Sequence, residues 1–266
     1  MYRLIGSATR LDVGIGSCAF VLMAKAPRVG TVKTRLAPLL SAEEATRLSR
    51  SFIQDMSANI AELIAARPDM TVVAFTPAGD QEAFDGLLPD GFSLLPQRGA
   101  DLGERLSHVA EDLLAAGVGA VCMINSDSPT LPAAFLSEAA ALLRMPGDRV
   151  VLGAAEDGGY YLIGLKQPHR QMFQRIDWST SRVFAQSVAR AAEIGLEVAR
   201  LPSWYDVDDQ ASLQRLCREL MESPQPADQT PGYCARHTAE VVRLLADRNR
   251  ALRVLLAAAP PALRPA

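Results

Sequence analysis

The chain has 266 residues, 49% hydrophobic and 21% charged, a balance that suits a folded α/β domain and excludes global disorder. Its formal net charge is -3 and no apolar run approaches the roughly 20 residues needed to cross a bilayer, which argues against a nucleic-acid partner and a membrane span. Cys18, Cys122, Cys217 and Cys234 form no C-x-x-C pair and the three histidines lack metal-ligand spacing, so reduced thiols in a cytoplasmic protein are expected and a zinc site or serine-histidine mechanism is not.

Leu4-Ile5 is too short for a signal-peptide core, and residues 1–16 read as a poorly ordered leader. Cys18 to Met23 reads as the first strand, breaking at Ala24 into a loop that carries Lys25, Arg28, Lys33 and Arg35. No acidic residue lies between Asp12 and Glu43, so a cationic loop follows the first strand of an acidic protein. That placement suits a specific phosphate or diphosphate site at the carboxyl edge of an α/β sheet. A solvated basic surface loop is the plainer alternative.

Ser41 with Glu44 forms a capping box, and Ala45, Leu48, Phe52, Met56, Ile60 and Leu63 recur at helical spacing after it. Met70 to Phe75 and Phe92 to Leu95 read as strands, followed by a helix through Leu106, Val109 and Leu113 that ends at Gly117. Ala120 to Ile124 is an uninterrupted apolar strand of the kind buried on both faces. A helix from Leu131 to Leu143, strands at 149–154 and 160–165, a helix near 182–192, a strand at 196–201 and a helix at 209–221 complete the series. This alternation predicts an α/β fold: a Rossmann-like, mostly parallel sheet with helices on both faces, spanning residues 17–222. Residues 223–234 read as a Pro-rich linker, 235–258 as one amphipathic C-terminal helix, and 259–266 as a frayed tail. An isolated helix needs a partner, so it packs back on the domain or serves homodimer contacts.

The 120–124 strand delivers Asn125-Ser126-Asp127-Ser128-Pro129 to the sheet edge. Asp127 there suits a hard divalent cation that bridges phosphate oxygens, and a helix cap or Asx-turn is the structural alternative. Glu156-Asp157-Gly158-Gly159 joins two strands, and taken alone it is better read as a hairpin turn than as a ligand loop. In Tyr205-Asp206-Val207-Asp208-Asp209, three carboxylates in four positions repel one another unless a cation or a helix N-terminus relieves them. Asp209 is the expected helix cap, which leaves Asp206 or Asp208 for metal. Gln97 offers an amide suited to a nucleobase edge and Gly103 a close backbone approach, with a plain polar loop capped at Asp101 as the equal alternative.

Together these segments resemble the GT-A superfamily of nucleotide-sugar transferases. Within it they look most like a bacterial nucleotide-diphospho-sugar transferase family, the DUF2064-like glycosyltransferases, with the signature A-K-x-P-x-x-G-x-V-K-T-R-L. Here that signature runs from Ala24 to Leu36, and Leu102-Gly103-Glu104-Arg105, Asp127-Ser128-Pro129 and Asp157 to Leu165 match further family segments. The resemblance spans residues 18 to about 215. It implies Ala24, Lys25, Lys33, Arg35, Gln97, Gly103 and Arg105 at the nucleotide and phosphates. It also implies Asp127 and Asp208 on Mg²⁺ or Mn²⁺, with Lys25, Lys33 and Asp157 catalytic. Pro129 stands where D-x-D enzymes carry a second aspartate, and Asp206-Val207-Asp208 resembles the distant second segment of sugar-activating nucleotidyltransferases. The implied activity is transfer of a sugar from a nucleotide-diphospho-sugar to a small-molecule acceptor. A nucleotidyltransferase that joins a nucleoside triphosphate to a phosphorylated metabolite is the second reading, and a non-catalytic nucleotide-binding module the third.

Overall fold

The computed structural model describes residues 2–6, 9–11, 13–14, 16–65, 67, 69–221 and 230–257. Among them, eight strands form one sheet: β1 (Arg3–Leu4), β2 (Cys18–Lys25), β3 (Met70–Thr76), β4 (Phe92–Pro96), β5 (Ala120–Asn125), β6 (Arg149–Ala155), β7 (Tyr160–Leu165) and β8 (Glu197–Trp204). The helices are α1 (Ala42–Ile64), α2 (Leu102–Ala116), α3 (Ala133–Arg144), α4 (Val183–Glu193), α5 (Gln210–Met221), α6 (Arg236–Arg248) and α7 (Arg250–Ala257). Strand order is β1-β4-β3-β2-β5-β7-β6-β8, and β7 alone runs antiparallel to its neighbours. The result is the mostly parallel α/β sheet that the alternating pattern predicts.

Alternate residues of β2 feed two cores, one on each face. Phe20 and Leu22 pack with Ile53, Met56 and Ile60 of α1 and Phe135 of α3. Ala19 and Val21 pack with Leu106, Val109 and Leu113 of α2 and Ala191 of α4. The capping box forms as its spacing requires: Ser41 Oγ accepts from Glu44 N–H (3.2 Å), and Glu44 Oε2 accepts from Ser41 N–H (2.8 Å).

Two expectations about the termini are corrected. The stretch read as a poorly ordered leader supplies an edge strand, Arg3 and Leu4 pairing in parallel with Ser93 and Leu94, and buries Ile5. The C-terminal amphipathic stretch is two helices. Asn249 breaks it: its Oδ1 accepts the Leu252 N–H (3.1 Å), capping α7, while its Nδ2 donates to Leu39 O (2.8 Å) and Glu44 Oε2 (3.1 Å). Both helices return to the domain, where Val242, Leu245 and Leu252 complete a third core with Leu48 and Phe52 of α1 and Leu213, Leu216 and Cys217 of α5. Most of the expected linker, and the tail at 259–266, lie outside the described residues.

β2 is the switch point of the sheet, with β3 on one side and β5 on the other. Ligands of such sheets bind outside the carboxyl ends of the strands that flank the switch. Here that edge carries the loops after β2, β5 and β8 and the β6–β7 hairpin tip. The third core holds two of them, since Leu36 and Leu40 of the basic loop and Tyr205 and Val207 of the acidic loop are buried in it.

Candidate active site at the carboxyl edge

The basic loop delivers Lys33 in the left-handed conformation (φ 50°, ψ 37°), uncommon for a residue with a side chain. Its side chain is 5% exposed and its ammonium faces three oxygens: Asp127 Oδ1 at 2.5 Å, Val207 O at 2.7 Å and Asp208 Oδ1 at 3.0 Å. Phe52 lies beneath, its ring centroid 5.2 Å from Nζ. Burial works against the charge, but Asp127 and Asp208 outweigh it and the ammonium pKa is raised. Three N–H groups meet three acceptors, so Lys33 as it stands has no donor left for a phosphate.

The other cations divide. Arg28 makes a two-point pair with Asp80 (2.5 and 2.7 Å) on the surface and does not line the cleft. Lys25 donates to Thr31 O (2.8 Å), shaping its own loop. Arg35 is 71% exposed, with Nη1 3.8 Å from Asp208 Oδ2, and faces the cleft. A cleft of about 250 Å³ is lined by Lys25, Lys33, Arg35, Ser126, Asp127 and Asp208. It continues past Asp206 and Asp157 toward Trp178 and the Ser179–Ser181 hydroxyls, with Arg35, Asp127 and Asp208 common to both parts.

Four carboxylates from three segments therefore share this cleft: Asp127, Asp157, Asp206 and Asp208. Burial and then the charges of Asp157, Asp208 and Asp127 push the Asp206 carboxyl up to about 7. Asp209 leaves the cluster, because its Oδ1 accepts from Ser212 N–H (2.9 Å) and caps α5 as expected. Asp157 is exposed, and its Oδ1 accepts from Gly159 N–H (2.8 Å), so the segment is both a hairpin turn and part of the cleft wall.

The remaining candidates are not gathered there. Ala24 is buried within β2. Gln97 Nε2 donates to Ala74 O (2.6 Å), and Arg105 Nε donates to Gly99 O (3.2 Å), so each fastens its own loop. Gly103 does permit a close approach, but by Trp178: a Cβ at 103 would lie 2.5 Å from the indole Nε1. Trp178 and the hydroxyls beside it went unpredicted, since the run Trp178-Ser179-Thr180-Ser181 precedes a helix and reads as an ordinary polar loop.

Residues 59–180 match the model of a family described as "Uncharacterized protein conserved in bacteria (DUF2064)". A solved structure from Desulfovibrio desulfuricans, provisionally named a nucleotide-diphospho-sugar transferase, is similar at 28% identity and TM-score 0.73, over 90% of this chain and 97% of that one. The chain is thus similar to this bacterial family over the matched segment. The matched segment holds Gln97, Asp127 and Asp157, while Lys33 and Asp208 lie on either side of it. More distant is a CMP:2-keto-3-deoxy-manno-octonic acid synthetase complexed with CTP, at 12% identity and TM-score 0.49 over 75% of this chain and 96% of that one. A Mycobacterium tuberculosis glucosyl-3-phosphoglycerate synthase in complex with Mn²⁺, UDP and glucosyl-3-phosphoglycerate is similar at 13% identity and TM-score 0.45, over 92% and 87% of the two chains. Likenesses that remote carry no argument about activity. No curated protein matches the sequence.

Proposed function

We propose that the protein is a divalent-metal-dependent transferase that takes a nucleotide-diphospho-sugar donor and moves the sugar to a small-molecule acceptor. The observation behind this reading is the convergence of Lys33 and Arg35 with Asp127, Asp157, Asp206 and Asp208 at the sheet's switch point. The provisional name of the Desulfovibrio relative supports the same class.

The donor set fits Mg²⁺ or Mn²⁺. Both favour hard oxygen ligands, and Mg²⁺ commonly takes one or two carboxylates and completes its shell with water and substrate phosphates. Asp127 and Asp208, both lining the cleft, would supply the two carboxylates, and phosphates would complete the site. Burial and, after it, the neighbouring carboxylates of Asp157, Asp208 and Asp127 raise the Asp206 pKa, and a bound cation would relieve the second of these. When bound, the ion would neutralise charge that builds on the departing diphosphate.

In this scheme Arg35 and Lys25 flank the diphosphate from the basic loop, and Lys33 joins them once released from its carboxylates. Asp157, open to the cleft, orients the acceptor hydroxyl and takes its proton as the acceptor oxygen bonds to the anomeric carbon. The bond from that carbon to the phosphate oxygen breaks, and the nucleoside diphosphate leaves with its electron pair. Gln97, Gly103 and Arg105 would reach a base only after the loop opens away from Ala74 O and Trp178.

A thermal-shift panel of nucleotide-sugars and nucleoside triphosphates, with and without Mn²⁺ or Mg²⁺, tests the reading. A ligand at 100-fold its dissociation constant adds about 2.7 kcal/mol, enough to raise the midpoint by several degrees. Metal-dependent stabilisation by one nucleotide-sugar supports glycosyl transfer. Selective stabilisation by a triphosphate replaces it with nucleotidyl transfer, in which a phosphorylated metabolite displaces pyrophosphate.

A further inference from the structure

We infer that the Lys33 ammonium is a resident cation on Asp127 and Asp208, and that a divalent cation binds these carboxylates only by displacing it. The inference rests on the proposed metal role of those two aspartates and assigns Lys33 a positioning role beyond it.

The geometry is that of a filled cation site. Nζ lies 2.5 Å from Asp127 Oδ1, 3.0 Å from Asp208 Oδ1 and 2.7 Å from Val207 O, and the side chain is 5% exposed. Each N–H of the ammonium has one acceptor, so nothing about Lys33 is left unsatisfied in this state. The ammonium holds one oxygen of each carboxylate that a metal would bridge from the cleft. A divalent ion bridging the same two carboxylates would sit within a few ångströms of a like charge, so the two cations compete for the pair.

The exchange has a second consequence. The ammonium rides on a loop rather than in the sheet, held in a left-handed backbone conformation that a lysine rarely adopts unaided. Once released, its three donors are available to phosphate oxygens beside Arg35. Metal entry and phosphate capture are then one coupled event: a metal–diphosphate complex supplies both the cation that replaces Lys33 and the anion that receives it. Metal alone recovers only half of that exchange and binds weakly to the wild type.

The test uses Mn²⁺ alone as the probe, with free ion counted by electron paramagnetic resonance against the full chain and the Lys33→Met variant. Methionine keeps an unbranched side chain one atom shorter and removes the charge. Lys33→Met is expected to bind Mn²⁺ about tenfold tighter or more, since the wild type spends most of its time in the Lys33-occupied state and its apparent affinity falls by that fraction. The variant should melt below the wild type without metal and recover more on adding Mn²⁺, and Lys33→Met combined with Asp208→Asn should lose the gain.

Binding by Lys33→Met that is no tighter than wild type, or a gain that survives Asp208→Asn, overturns the inference. Should Lys33→Met fail to fold, wild-type protein carries the test through amine acylation mapped by mass spectrometry. Lys33 is expected to be protected without metal and labelled with saturating Mn²⁺, and protection that persists overturns the inference. Absence of Mn²⁺ binding in every form overturns it as well. The donor reading is judged separately, by stabilisation of the wild type with nucleotide-sugar and Mg²⁺, and survives any of these failures.

Discussion

Val207 donates its backbone N–H to the carbonyl oxygen of Asp127 across 2.9 Å. β5 and β8 are separated in the sheet by β7 and β6, so the loop after β8 reaches back across the hairpin to make this bond. A backbone tie therefore holds the segments of Asp127 and Asp208 together, and the Lys33 ammonium bridges their side chains. Asp127→Asn keeps the backbone tie and still offers Lys33 an acceptor, with Asp208 retaining the charge. It is expected to cost about 1 kcal/mol, a midpoint drop of about 2–4 °C without ligand. Metal-dependent stabilisation by nucleotide should disappear. Asp127→Asn combined with Asp208→Asn leaves a buried ammonium without a charged partner, and thermal melts should show a loss larger than the two singles added.

Asp55 of α1 is buried and caps a helix that has no cap of its own. Ala235 stands at the α6 N-cap without a side-chain acceptor, and Asp55 instead accepts from His237 N–H (3.0 Å) and Thr238 N–H (2.7 Å). Asp55→Ala strands those two donors and is expected to destabilise by about 1–3 kcal/mol, read by urea unfolding. Burial raises the Asp55 pKa above 3.8 despite these bonds. Between that value and the raised one, the folded state holds a proton the unfolded chain has released. This group's contribution to stability thus falls as pH rises through the window and is flat above it. Urea melts of wild type and Asp55→Asn, from acid to neutral pH, should show their difference moving in that direction.

Most elements that carry the site were legible because their periodicity is strong. The uninterrupted apolar run at 120–124 and the helical stripe from Ala45 to Leu63 each have one reading, and the structure matches both. Asp209 as a cap was legible from local chemistry alone. The strand order was not, since an antiparallel β7 between β5 and β6 depends on pairings that no local pattern encodes. The edge strand Arg3–Leu4 is two residues long, too short for any period. Lys33 stood out by its charge but not by its partners, because the oxygens it meets lie about 94 and 175 residues away and its conformation is one that propensity disfavours. Gln97 and Arg105 looked available because a sequence shows donors but not the backbone carbonyls that satisfy them. Asn249 carried a signal that a single long helical stripe obscured: asparagine favours helix caps over helix interiors.

The third core makes a prediction about remote control of the cleft. Leu245 of α6 packs in the cluster that also buries Leu36 of the basic loop and Val207 of the acidic one. Leu245→Ala is expected to destabilise by about 2–5 kcal/mol through the lost methylenes and the cavity left behind. Because the same cluster seats both loops, the variant should also weaken nucleotide binding, although Leu245 lines no part of the cleft. Calorimetric titration beside chemical unfolding separates the two effects. Unchanged affinity at reduced stability would show that backbone ties, such as Val207 to Asp127, hold the loops without help from α6.

Gly158 makes the sharpest prediction about the hairpin. Its φ is +91°, and a Cβ there would lie 2.2 Å from the Ser181 carbonyl oxygen, with Ser181 C and Cα at 2.6 Å. The close approach that paired glycines permit is therefore taken up by the chain itself: Phe184 N–H donates to Gly158 O at 2.8 Å and fastens the hairpin tip to the first turn of α4, which follows directly on the Ser179–Ser181 segment. The hairpin tip and the segment before α4 both line the cleft, the one with Asp157 and the other with Ser179, Thr180 and Ser181. Gly158→Ala must move backbone rather than a flexible side chain, and it adds the cost of a positive φ at a residue with a Cβ. Loss of about 1–3 kcal/mol is expected. The displaced wall should also alter Trp178, which stands beside Ser179 and packs edge-on against Tyr160 at 6.4 Å between ring centroids. Trp178 and Trp204 are the only two tryptophans in the chain, so emission spectra of Gly158→Ala in a Trp204→Phe background report on Trp178 alone. An unshifted spectrum with wild-type stability would mean that the walls accommodate the methyl group and that the contact does not shape the cleft.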